Sequence, residues 1–210
     1  MPIASARRLK VEAEILSRRA MLDQPHIAPL AEYCRSLRST NRGTVPDFDP
    51  CDGGVAAQML FLMEKPGPMA GGDGIAGRTG SGFVSRDNND PTAEAILRFM
   101  EQAAIGREQS VLWNTVPWWN GTRKVGADEL SSGIERLDEL LDLLPKVSVV
   151  VGVGAKAGKA RELVERRTLP FIQSAHPSPI NRARRRAVWE KIPDQWRAAR
   201  TYLADGWETP

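Results

Sequence analysis

The sequence predicts an α/β fold, a three-layer α/β/α sandwich with a central four-stranded parallel sheet in a single domain spanning residues 1–210. Three observations point there. Met59-Leu60-Phe61-Leu62-Met63 is an unbroken apolar run of strand length, which marks a parallel strand buried on both faces. Strand-like segments recur at 110–113, 147–151 and 170–173. Helical segments at 92–105, 127–144 and 155–165 alternate with them, and strand–helix alternation with right-handed crossovers gives a parallel sheet covered on both sides.

The remaining elements follow in chain order. Two helical segments, 5–22 and 27–39, open the chain, and region 1–45 is expected to pack on an α/β core at 58–204. The first carries Leu9, Ile15, Leu16 and Leu22 in an imperfect amphipathic pattern. Residues 44–54 are rich in Pro, Asp and Gly and read as a loop. Asp90-Pro91 suits a helix start, because proline is tolerated in a first turn. A helix at 189–203 closes the chain.

Composition excludes several classes. With 41% hydrophobic and 26% charged residues, the chain is ordinary for a soluble globular protein. No segment approaches the ~20 apolar residues of a membrane helix. Two cysteines, Cys34 and Cys51, are too few for an all-cysteine iron–sulfur site, so no metal or cofactor is expected. Without a secretory leader, reduced thiols in a cytoplasm are expected. Net charge is only +3, but cations cluster at Arg7-Arg8-Lys10, Arg18-Arg19, Arg166-Arg167 and Arg182 to Arg186. Such local clusters form the footprint of a nucleic-acid binder.

In parallel sheets ligands bind at the carboxyl ends of strands. Three unusual loops fall on that edge: Glu64-Lys65-Pro66-Gly67-Pro68, Asn114 to Asn120, and His176-Pro177-Ser178-Pro179. The last contains one of only two histidines, held between restraining prolines. It leads into Ile180 and four arginines in five positions. Ser178 and the arginines suit phosphates and Ile180 suits a wedge, so the loop suggests chemistry on a nucleic-acid base. The plainer alternative is a turn beside a solvated basic face. Trp118 and Trp119 fit a site mouth or simple packing. Gly152-x-Gly154-x-x-x-Gly158 is one residue longer than a dinucleotide fingerprint and reads as a tight turn.

Four segments in order resemble motifs of the uracil-DNA glycosylase superfamily: Met63-Glu64-Lys65-Pro66-Gly67, Gly82-Phe83-Val84-Ser85-Arg86, Trp113-Asn114-Thr115-Val116 and His176-Pro177-Ser178-Pro179-Ile180. The resemblance implies an enzyme that hydrolyses the N-glycosidic bond of uracil flipped out of single- or double-stranded DNA. It would leave an abasic site in base-excision repair and act as a monomer. It further implies that His176 donates to the uracil O2, Asn114 reads O4 and N3–H, and Phe83 stacks on the base. Glu64 would position water or stabilise the sugar cation, with Lys65, Pro66 and Gly67 beside the substrate. Ile180 would fill the vacated stack, while Ser178, Asn181, Arg182, Arg184 and Arg185 would hold DNA.

The chain departs from the family pattern twice. Lys65 stands where better-known branches carry Asp or Asn, and a lysine is a cation rather than a base unless strongly desolvated. Phosphate binding and a lyase nucleophile are its alternative roles. The four cysteines of the iron–sulfur branches are absent, which implies a cluster-free relative. A non-catalytic reader of uracil or abasic DNA, and a glycosylase for another deaminated base such as hypoxanthine, stay open.

Overall fold

In the computed structural model, which describes residues 6–71 and 80–203, six strands form: β1 (Asp47–Phe48), β2 (Met59–Met63), β3 (Phe83–Val84), β4 (Ser110–Asn114), β5 (Val149–Val153) and β6 (Phe171–Ser174). The four strands of four or more residues make one parallel sheet, ordered β4-β2-β5-β6. The apolar run of the sequence is β2 at the predicted boundaries, and it pairs on both sides. Met59↔Ser110 to Met63↔Asn114 fix its register with β4, and Met59↔Val149 to Leu62↔Gly152 fix it with β5. Two flanking strands satisfy its backbone groups, so its side chains can be apolar on both faces.

The helices are α1 (Glu12–Arg19), α2 (Ala28–Arg38), α3 (Pro68–Gly71), α4 (Pro91–Gln102), α5 (Ala127–Asp142), α6 (Arg161–Arg166), α7 (Pro179–Arg184), α8 (Arg186–Glu190) and α9 (Ile192–Ala199). Asp90 caps α4 through its side chain, accepting from Thr92 N at 2.9 Å and Ala93 N at 3.0 Å. One apolar core joins both faces of the sheet. Phe61 and Phe99 meet Trp196 edge-on from one side, and Phe48 stacks on Trp113 at 3.8 Å.

Several boundaries differ from expectation. The predicted strand at 147–151 lies two residues later, at β5, with Val147 a buried lead-in. The predicted helix at 5–22 is a single 3-10 turn (Arg8–Lys10) followed by α1, and residue 5 lies outside the described residues, as does residue 204. The segment read as a loop at 44–54 contains β1, which pairs in parallel with β3. Two-residue strands carry no periodicity that a sequence could display. The basic stretch after His176 is helical: Ser178 caps α7 by accepting from Asn181 N, and Pro179 occupies the first turn.

The N-terminal region is fastened by charge as well as by apolar contact. Arg18, 2% exposed, pairs with Asp49 and Asp87 and donates to Ser85 Oγ at 3.1 Å. Arg107 reaches Asp49 (2.7 Å), Asp52 (3.1 Å) and Asp87 (3.0 Å), and Arg86 faces Asp52 at 3.3 Å. Three guanidinium groups thus balance three carboxylates in the interior. Burial pushes Asp52 up to about 6 despite the opposing pull of Arg86 and Arg107. Beside this cluster, Leu9, Ile15 and Phe83, joined by Leu22, form a small second core.

Removing one partner from a buried ion pair leaves an uncompensated charge and costs about 3–5 kcal/mol. Arg18→Ala is therefore expected to lower unfolding free energy by roughly that amount in urea titration. Arg18→Lys should recover only part of it, because one ammonium lacks the fork that spans two carboxylates.

Candidate active site

The carboxyl edge of the sheet opens into a cleft of about 390 Å³. The turn after β2 supplies Lys65, Pro66 and Gly67, and the first turn of α4 supplies Asp90 to Ala93. Asn114 lies at the end of β4, His176 and Ser178 follow β6, and Ile180 and Arg123 stand at the cleft as well. Seven of the residues singled out in the sequence thus share one cavity: Lys65, Pro66, Gly67, Asn114, His176, Ser178 and Ile180.

Asn114 is 3% exposed and lies beside Met63 in the β2–β4 register. Its neighbour Thr115 spends its hydroxyl on Met63 O at 2.9 Å. The Asn114 amide has no hydrogen-bond partner among the described residues, although it lines the cleft. Facing the cleft, it offers an acceptor and two donor hydrogens to a ligand at that point.

His176 is held by its own loop. Asn181 Nδ2 donates to His176 O at 2.8 Å, so Asn181 braces the histidine loop. Burial holds the imidazole below its ordinary pKa and Arg123 acts in the same sense, while Glu64 and Asp90 oppose them. A neutral imidazole still carries one N–H for donation.

Glu64 does not line the cleft. Its Oε1 accepts from Lys156 N at 3.1 Å, and the side chain lies against Gly154, where a Cβ would come within 2.6 Å of that oxygen. Gly154 has φ +97°, so both conformation and space demand glycine there, as a tight strand-to-helix turn requires. Glu64 anchors this turn and acts on His176 through its field.

Two other expectations are corrected. Lys65 Nζ gives its three donors to Asn120 Oδ1 (2.7 Å), Lys124 O (3.2 Å) and Glu129 Oε1 (2.7 Å). No N–H is left for a phosphate, and an ammonium locked by a carboxylate is not a nucleophile. The same Glu129 oxygen accepts from Trp118 Nε1 at 2.9 Å, so that tryptophan packs behind the wall rather than at a site mouth. Trp119 is buried against Gly71. Phe83, 1% exposed, belongs to the small core with Leu9 and Ile15 and does not line the cleft; Val84 and Ser85 do. Base stacking is therefore not open to Phe83 in this arrangement.

At the rim of the cleft, Ile180 is 66% exposed, the most exposed large apolar side chain among the described residues. Arg182 lies over the Trp189 ring at 5.3 Å, and Arg184 and Arg185 are exposed. Two charged cleft residues escaped the sequence reading. Asp90 was legible only as a helix start, and Arg123 sits in a loop without pattern. The two cysteines are free, Cys34 buried in the core and Cys51 half-buried in a separate loop. Among the described residues no group of three or more His, Cys, Asp or Glu could hold a metal ion, so the residues do not fit an iron–sulfur cluster. No described helix is long and apolar enough to cross a membrane.

The model of the uracil DNA glycosylase superfamily matches residues 52–203. The chain belongs to this superfamily. Its enzymes are glycosylases, hydrolases that act in DNA repair and bind DNA. No curated protein matches the chain. A wild-type UNG crystal structure from Nitratifractor salsuginis is similar in fold, with a TM-score of 0.45 and 13% identity over 92% of this chain and 98% of that one.

Two outcomes are expected for this glycosylase-family chain. In DNA-binding titrations over salt, Arg184→Ala should reduce the log–log slope by about one unit, as loss of one phosphate contact does. Lys65→Met should leave that slope unchanged while lowering the melting temperature, since Glu129 loses its cation. Protonation of His176 gives the second. Its folded-state pKa is depressed, so as pH falls below about 6.5 the unfolded chain takes up a proton that the folded chain refuses. Stability should fall with acidification in that window, and His176→Gln should remove this component in denaturation curves at pH 7.5 and 5.5.

Proposed function

We propose that this protein is a uracil-DNA glycosylase: it hydrolyses the bond between uracil and deoxyribose in DNA and leaves an abasic site. The observation that carries the reading is Asn114, an almost buried amide that is unpartnered among the described residues in the cleft that also contains His176. An amide offers one acceptor and donors in one plane, which matches the N3–H and O4 edge of uracil. Cytosine presents the reverse pattern and would leave both partners unpaired, a strong basis for rejection.

The rest of the site supports the same chemistry. Cleavage develops negative charge on the departing base and positive charge on the sugar. A neutral His176 can donate to the base oxygen as that charge grows, an interaction realised chiefly in the transition state. A base inside a duplex cannot reach a strand-end cleft, so the nucleotide must leave the stack. Ile180, exposed at the cleft rim and followed by the basic α7, suits a wedge with phosphate contacts on its flank. The nearly buried amide favours an enzyme that reads base edges over one that grips backbone alone.

The test is alkali cleavage of a labelled oligonucleotide carrying one uracil, with a hypoxanthine oligonucleotide in parallel. Wild type should produce labile sites in excess of enzyme. His176→Ala should lower kcat by about 10²–10³-fold, the usual cost of losing one preorganised donor. Asn114→Ala should lower kcat/KM and weaken discrimination against cytosine. Tight binding with no labile site would make the protein a damage reader, and cleavage confined to hypoxanthine would reassign the base.

A further inference from the structure

A carboxylate on the sugar side of the cleft would position water and stabilise the developing cation, and the residue expected to supply it, Glu64, is turned into the Lys156 turn. Lys65 is tied to Glu129 and carries the wrong charge. Asp90 is the single acidic residue among the described residues that line the cleft. Resting on the glycosylase reading above, we propose that Asp90 is the catalytic carboxylate of this site, holding the hydrolytic water and facing the cationic sugar.

The geometry favours Asp90 in three ways. First, its position is fixed. Oδ1 accepts from both Thr92 N and Ala93 N, and its own amide donates to Asn88 O at 2.8 Å. Asn88 is locked in turn by Ser81 Oγ at 2.6 Å and Phe83 O at 2.9 Å. Such a chain of bonds supplies the preorganisation that catalysis requires. Second, Oδ2 has no hydrogen-bond partner among the described residues, so one oxygen anchors and the other is uncommitted. Third, the charge layout matches the reaction. Asn114 and His176 offer N–H groups where the base becomes an anion, and Asp90 enters from α4, another element of the same cleft. The Asp90 charge is felt at His176, so the two groups act within one field.

The step balances as a hydrolysis. Water donates a hydrogen bond to Asp90 Oδ2, and its oxygen forms the new bond to C1′ of the flipped nucleotide. The C1′–N1 bond breaks, and its electron pair leaves with the base. The water proton passes to Asp90 and is then released to solvent or to the departing base. The sum is nucleotide plus water giving an abasic site plus free base.

Asp90→Asn is the decisive variant, because asparagine caps a helix about as well as aspartate and the fold is retained. It is expected to keep a melting temperature near that of wild type and to leave KM little changed. Its single-turnover rate on uracil DNA should fall by about 10²–10⁴-fold, the range typical of a lost general base. Glu64→Gln should cost less. An active wild type beside an Asp90→Asn within about threefold of it would overturn this assignment alone. A rate collapse in Glu64→Gln with Asp90→Asn unimpaired would return the water to Glu64. Wild type inert on uracil and hypoxanthine alike would remove the glycosylase reading and this inference together.

Discussion

Everything at the cleft depends on the register of β2 against its neighbours. Met63 opposite Asn114 and Val153 opposite Ser174 bring the strands to a common edge, so that their following residues emerge side by side. A slip of one residue would exchange the faces of Trp113 and Asn114. The indole that now stacks on Phe48 would then enter the cleft, and the amide would be buried in the core. The close packing of Met59 to Leu62, which are fully enclosed in the present pairing, opposes that slip.

The charges divide into two populations with different work. The exposed arginines of α7 lie outside the cleft, free to meet a polyanion. Inside, the cations are spent: Lys65 on Glu129, and Arg18, Arg86 and Arg107 on Asp49, Asp52 and Asp87. Arg123, which adjoins Gly67, is the cation that lines the cleft with its charge available to His176. Burial first, and then the balance between the two carboxylates and that guanidinium, sets the environment of the imidazole.

The larger frame was legible because it rests on local signals. An apolar run, alternating helices and strand-end loops reveal a parallel sheet, and they put Asn114 and His176 at the sheet edge where the cleft opens. What was hidden involves long-range partners or short elements. Lys65 finds Asn120 and Glu129 some 55 and 64 residues away, and nothing near it in sequence hints at either. Phe83 sits on a two-residue strand, where one residue faces the cleft and the other the small core, so alternation alone cannot say which is which. Asp90-Pro91 reads as a helix start, which it is; the side-chain cap and the uncommitted second oxygen of Asp90 emerge only in three dimensions. Glu64 was drawn away by the conformation of Gly154, a positive φ that the sequence leaves undetermined.

The ionic fastening of α1 has a thermal consequence. The segment from Phe83 to Asn88, whose Val84, Ser85 and Asn88 form part of the cleft wall, is backed by Arg18 and Arg107 as well as by the small apolar core. Hydrophobic contact weakens on cooling, whereas the desolvation penalty of buried ions shrinks on warming. The two fastenings therefore respond to temperature through different physics. Both strengthen on warming and weaken on cooling, so the wall that shapes the cleft is held by two thermal dependences of the same sign, and its rigidity need not track that of the apolar core behind the sheet.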